Sequence, residues 1–172
     1  KQRWLEMRIP GRRPVVTDAH PPPEGDRPSP ESRLDAIDLA SAVFAMTRQF
    51  ERDRSCGLDL PVFDGRRRYN LSFEGSDKGE IRRNGYSIYA GPVVKCRVGM
   101  KPLAGFKTRI KTYSGWGEGD RAASVFMGRQ FIDGPPVPVR IELQTRWGDV
   151  LAHLTKAKLA AGGKSRELAH RN

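Results

Sequence analysis

Arg68-Tyr69-Asn70-Leu71-Ser72-Phe73-Glu74 alternates apolar and polar side chains without a break. Period two is the signature of a strand with one buried and one wet face. Tyr69, Leu71 and Phe73 take the inner face. The pattern recurs at Val94, Cys96, Val98 and Met100, and again at Val137, Val139, Ile141 and Leu143. Asp64-Gly65 marks a turn before the first run. Asn84-Gly85 lies between 80–83 and 86–89, the pattern of a two-residue hairpin. Trp147-Gly148-Asp149 turns into Val150-Leu151-Ala152-His153-Leu154, a further hairpin. About seven or eight strands with short connections predict a mainly β fold. The sheet is antiparallel and curved, a half-barrel or incomplete barrel, with one packing helix.

That helix precedes the strands. Asp35 is placed to cap it. Leu34, Ile37, Ser41, Phe44 and Arg48 lie near one stripe, with Ala40, Val43 and Met46 beside it. The expected span is 35–52. Around this domain, 34–155, the ends differ. Residues 10–33 hold seven prolines and are expected to form an extended connector rather than a ladder. Residues 1–9 are the expected last strand of an upstream region, so 1–33 is a Pro-rich N-terminal segment. Residues 156–172 are basic and polar, an expected frayed helical tail.

Cys56 and Cys96 are the only cysteines in 172 residues. Each abuts a predicted strand. A disulfide, two separate buried thiols and a redox pair are the possible readings, and no Cys-x-x-Cys spacing favours the last. The bridge is the reading adopted, and it implies an oxidising compartment, periplasmic or secreted. The chain starts at Lys1, which leaves room for an export signal peptide upstream. No run of about 18 apolar residues exists, so no transmembrane helix is expected.

The formal charge is +11, and 22 of the 31 basic residues are arginine. Six of those excess charges lie outside the domain: residues 1–33 carry seven bases against five acids, and 156–172 carry five against one. The body is therefore only mildly basic, which argues for a solvated surface over a dedicated polyanion site. Arg66, Arg67 and Arg68, with Arg82, Arg83 and nearby tyrosines, are the exception and could serve a basic nucleic-acid-binding module. That is the runner-up reading.

Other chemistry lacks a constellation. His20, His153 and His170 share no metal-ligand spacing with one another or with a cysteine. No serine sits in a nucleophile elbow. Gly115-Trp116-Gly117-Glu118-Gly119 lacks the lysine of a phosphate loop and reads as a turn. No enzyme activity, metal or cofactor is implied.

Several motifs stand in a recognisable order. The helix segment Asp38-Leu39-Ala40-Ser41-Ala42-Val43-Phe44-Ala45-Met46 is followed by Cys56 and Phe63-Asp64-Gly65-Arg66-Arg67. Then come Cys96-Arg97-Val98 and Ala104-Gly105-Phe106. Over about 35–156 this resembles a family of exported alphaproteobacterial proteins of unknown function, with a Cys, an FDGRR stretch, a second Cys and an AGF-like turn. Leu39 stands where that pattern has proline. The family is similar in general shape to the half-barrels of lipoprotein-localisation factors. The resemblance implies export to the periplasm and, by analogy of fold, a lipid or acyl-chain role.

A single helix covers only part of a sheet this wide, so an apolar groove is expected beside it. Its expected lining is Phe44 on the helix, with Tyr69, Leu71, Phe73, Tyr86 and Ile88 from the first half of the sheet. Val94, Val98, Ile141 and Leu143 complete it. The functional expectation is a non-enzymatic envelope protein that binds an apolar ligand, a lipid or acyl chain, or an envelope protein partner there.

Overall fold

The computed structural model describes residues 4–22, 27–106, 123–145 and 148–169. Its centre is a six-stranded antiparallel meander: β3 (Leu58–Phe63), β4 (Arg68–Ile81), β5 (Gly91–Ala104), β6 (Ala123–Gly128), β7 (Val137–Thr145) and β8 (Gly148–His153). Each strand pairs only with its sequence neighbours. The sheet does not close, and β3 and β8 are its two edges. The expected mainly β architecture with one helix is what the chain adopts. None of the helices among the described residues is long and apolar enough to cross a membrane.

The register explains the core. Leu60 pairs with Leu71 and Leu71 with Met100, while Phe73 pairs with Val98 and Cys96 with Val125. These rows place one apolar side chain per strand on the same face. Helix α1 (Leu39–Asp53) covers that face with Ala42, Met46 and Phe50. Those positions are four apart and share one helix face. The buried face is thus 42, 46, 47 and 50; of the expected stripe 34, 37, 41, 44 and 48 with 40, 43 and 46 beside it, Met46 alone is buried. Phe44 points away from the sheet and is 66% exposed.

The helix also starts later than Asp35. Asp38 is the cap, and its carboxylate accepts the Ser41 N–H at 3.0 Å. Arg54 closes the other end in a left-handed conformation and donates its N–H to the Phe50 carbonyl. Asp35 instead sits at φ 60° and pairs with Arg12. Just beyond the helix, Cys56 is disulfide-bonded to Cys96 of β5, with Cα atoms 5.7 Å apart and both residues buried. The bridge ties the helix exit to the third strand of the sheet.

Three connections differ from expectation. The N-terminal segment holds a ladder after all: β1 (Trp4–Arg8) pairs with β2 (Val15–His20). Its prolines, Pro10, Pro14 and Pro21, fall outside both strands, where a missing N–H breaks no ladder bond. Residues 156–169 form not a helix but a second hairpin, β9 (Lys156–Ala161) and β10 (Lys164–Ala169). Gly162 and Gly163 make its turn, both at positive φ. Asn84-Gly85 does not close a two-residue hairpin. Ile81 pairs with Gly91, so β4 and β5 are joined by the longer loop 82–90. That loop folds back: Ile88 N–H donates to the Leu154 carbonyl, and Tyr89 enters a second core with Ile81, Val93 and Val139.

Candidate functional site

The expected groove residues separate into three groups. Tyr69, Leu71 and Phe73 are buried in the main core with the helix, and Val94 and Val98 pack against it. Burial raises the Tyr69 phenol above its ordinary pKa. These five therefore serve packing beneath α1. Ile141 and Leu143 lie on the same sheet face at the β7 end; Ile141 is 38% exposed, and Val150 of β8, which pairs with Leu143, is 51% exposed. Phe44, Tyr86 and Ile88 are elsewhere. Tyr86 is exposed and stacks on His153, with ring centroids 6.2 Å apart, and Ile88 sits in the 82–90 loop. The structure does not bring the ten residues into one groove.

A cleft forms instead on the opposite face of β3, where the N-terminal hairpin docks. Its volume is about 400 Å³, and Val16, Ala19, Pro22, Pro28, Phe63 and Gly65 are among its lining residues. Three arginines, Arg27, Arg33 and Arg66, line it against one acid, Asp18. Pockets that hold small molecules typically enclose about 300–1,000 Å³ with a few placed polar groups.

The turn that builds this cleft follows from its sequence. Asp64 accepts the backbone N–H of Arg66 at 2.9 Å and of Arg67 at 2.7 Å, an Asx-type turn. Asp64 thus anchors the turn through backbone donors, with the Arg67 guanidinium 3.9 Å from its carboxylate. Gly65 sits at φ 88°, and a Cβ there would lie 2.5 Å from the Leu5 side chain of β1. Gly105 sits at φ 80°, and a Cβ there would lie 2.2 Å from the Arg66 carbonyl oxygen. The FDGRR and AGF stretches therefore meet in space, and both glycines allow a close approach that a side chain would block.

Each arginine is placed by a different element. Arg33 is the last residue of a 3-10 turn (Glu31–Arg33), donates to the Pro14 carbonyl at 3.2 Å and lies over the Phe63 ring at 5.5 Å. Arg66 donates one Nη2 hydrogen bond, at 2.9 Å, to the Pro21 carbonyl. Arg27 makes no ion pair with a described residue. Arg68, opposite Phe63 in the ladder, is buried and donates to the carbonyls of Ser32 and Tyr69 and to Asn70 Oδ1. Burial pulls its pKa below the ordinary arginine value. Arg67 lies over the Phe106 ring. The basic run expected as a nucleic-acid hairpin is thus divided: Arg68 points into the protein, Arg67 lies on a ring, and Arg66 faces the cleft.

Arg27 and Arg33 were hidden from sequence reasoning inside the Pro-rich stretch. The usable signal was Val15-Val16-Thr17, a β-branched run that marks a strand and brings that stretch onto the body. Among the described residues no cluster of three or more His, Cys, Asp or Glu is placed to hold a metal ion. Gly115 to Gly119 and Trp147 lie outside the described residues. No family model, curated protein or solved structure matches the chain.

Proposed function

We propose that this is a non-enzymatic binding protein of the periplasm or another extracytoplasmic space, and that its ligand is a small amphipathic anion. The ligand sits in the cleft beneath the N-terminal hairpin rather than beneath the helix. The observation that carries this reading is the convergence of Arg27, Arg33 and Arg66 on a cleft walled by Phe63, Val16 and two prolines. Guanidinium forks suit a carboxylate or phosphate, and the apolar wall suits a short acyl chain or ring. The disulfide fits an oxidising compartment. The expected lipid or acyl-chain role is kept in this form, with its place in the molecule moved.

Fluorescence titration with anilinonaphthalene sulfonate, an aromatic anion, tests the reading. The probe should bind the folded protein. Dodecanoate should displace it at concentrations at least about tenfold below those needed for dodecanol, because charge-assisted bonds require the anion. Arg27→Gln should weaken probe binding and leave the melting temperature unchanged. Equal displacement by acid and alcohol, or binding indifferent to Arg27→Gln, would move the ligand away from this cleft.

A further inference from the structure

β8 forms the last edge of the six-stranded sheet, and no described residue pairs with its outer side. The register with β7 fixes which groups face outward. Leu154 N–H donates to the Val139 carbonyl at 3.0 Å, one step beyond the pair Arg140 and His153. Bonded and non-bonded pairs alternate along an antiparallel ladder. Val150 and Ala152 therefore direct their backbone groups to β7, while Asp149, Leu151 and His153 direct theirs to the open edge. The edge ends at Leu154, whose carbonyl accepts from Ile88.

Exposed edges are ordinarily protected by lysine, proline or a bulge. The β8 sequence GDVLAH has neither residue, and its ladder with β7 has no register shift. Val150 and Leu151 are 51% and 48% exposed, one on each face. Asp149-Val150-Leu151-Ala152-His153 reads acid, three apolar residues, base. Reversed, it is complementary to itself.

We infer that β8 is a self-pairing edge: two copies of this chain join their β8 strands antiparallel about a two-fold axis at Leu151. The two six-stranded sheets become one. Side chains keep their own faces only if residues of equal parity pair. Centred on Leu151, that register sets Leu151 against its own copy, Val150 against Ala152, and Asp149 against His153 twice. An acidic side chain against a hydrogen-bonding imidazole, and apolar side chains against each other, are the favourable cross-strand combinations. A centre at Val150 sets Asp149 against Leu151, and a centre at Ala152 sets His153 against Leu151, so both lose the Asp149–His153 pair.

His153 itself is held in place at this edge by its own chain. His153 Nδ1 is buried and makes no hydrogen bond with a described residue. Its ring neighbours are Tyr86, stacked on it, and Arg140 across the ladder, whose guanidinium pairs with Glu142 at 2.5 Å. A lone five-residue strand pair buries less than the roughly 1,200 Å² of a stable complex, so the dimer is weak and concentration-dependent.

Sedimentation velocity of the full chain from about 5 to 500 μM should show a monomer passing into a dimer. Leu151→Lys sets two ammonium groups face to face at the axis. It should raise the dissociation constant at least about tenfold while circular dichroism stays native. Leu151→Cys should form a covalent dimer under mild oxidation, since the bonded pair holds Cα atoms about 5.5 Å apart, within disulfide reach. Val150→Cys alone should not, whereas a mixture of Val150→Cys and Ala152→Cys should cross-link. A monomer at every concentration overturns the inference. So does a dimer untouched by Leu151→Lys, or cross-linking of Leu151→Cys no faster than that of Val150→Cys; either result would assign the edge to another register or another chain.

Discussion

Arg12 grips both carboxylate oxygens of Asp35, at 2.5 and 2.7 Å, while the Asp35 N–H donates to the Arg12 carbonyl at 2.7 Å. The turn of the N-terminal hairpin is thereby fastened to the lead-in of the helix. The pairing holds the Arg12 guanidinium above its ordinary pKa. Exposed ion pairs stabilise little, so the effect here is positional. Arg12→Ala should leave the melting temperature nearly unchanged, yet speed amide hydrogen exchange at Val16 and Ala19 and weaken anilinonaphthalene sulfonate binding. Exchange at β5 should not change. Unaltered protection across β1 and β2 would show that other contacts hold the hairpin.

Two phenylalanines on one helix should behave oppositely. Phe50 is 5% exposed in the core and Phe44 is 66% exposed. Phe50→Ala should cost about 3–5 kcal/mol in urea unfolding. Phe44→Ala should stay within about 0.5 kcal/mol. Similar losses at both sites would mean that the helix seats on a different face.

The bridge between Cys56 and Cys96 spans a sequence separation of 40. Closing a loop of that size removes unfolded-state entropy worth roughly 3–4 kcal/mol. The double change Cys56→Ser with Cys96→Ser should lower unfolding stability by about that amount, and thiol titration of the denatured, unreduced wild type should find no free sulfhydryl. Two reactive thiols would contradict the bridge.

Asp38 gives the fold an acid-sensitive element. Hydrogen bonds from the Ser41 hydroxyl and N–H hold its carboxyl below the ordinary carboxylate pKa. Its folded pKa is depressed, so its contribution is complete above the unfolded value of about 3.9 and fades as pH falls through the lower folded value. Asp38→Ala should cost about 1 kcal/mol near neutral pH. The gap from wild type should narrow in denaturant titrations carried below about pH 4. A gap that stays constant into strong acid would remove the charge from the explanation.

Gly105→Ala should strain the turn. Its φ of 80° and the Arg66 carbonyl oxygen, which an added Cβ would overlap, leave no place for a methyl group. A loss of about 1–3 kcal/mol is expected, with weaker probe binding because the Arg66 turn shifts. Gly57→Ala, where a Cβ meets nothing within 4 Å, is the matched control.

The period-two runs made β4, β5 and β7 legible, because one wet and one buried face is written directly into alternation. The bridge was legible because no other cysteine competed. The terminal hairpins were not. Prolines dominate 10–33 by count, yet they flank β2 without entering it. At 156–169 the lysines hid an alternating pattern around Gly162-Gly163, itself a hairpin signal. Asn84-Gly85 misled for the opposite reason: a strong local signal lost to the bonds of Ser87 and Ile88 to the Leu154 carbonyl. The cleft was invisible for a related reason. Its arginines come from segments 27–33 and 66, which only the docking of β1 and β2 brings together.

The meander has a consequence in time. Every strand of the sheet meets only its chain neighbours, so the ladder can zip hairpin by hairpin with little loop closure. The disulfide cannot join that early: Cys96 comes under the helix exit only after β3, β4 and β5 lie side by side. We expect oxidative refolding to show protected sheet amides before the bridge closes, so that the bond seals a finished sheet rather than guiding its assembly. Acid-quenched thiol trapping alongside pulsed hydrogen exchange reads both clocks, and a bridge formed before any β4–β5 protection would reverse the order.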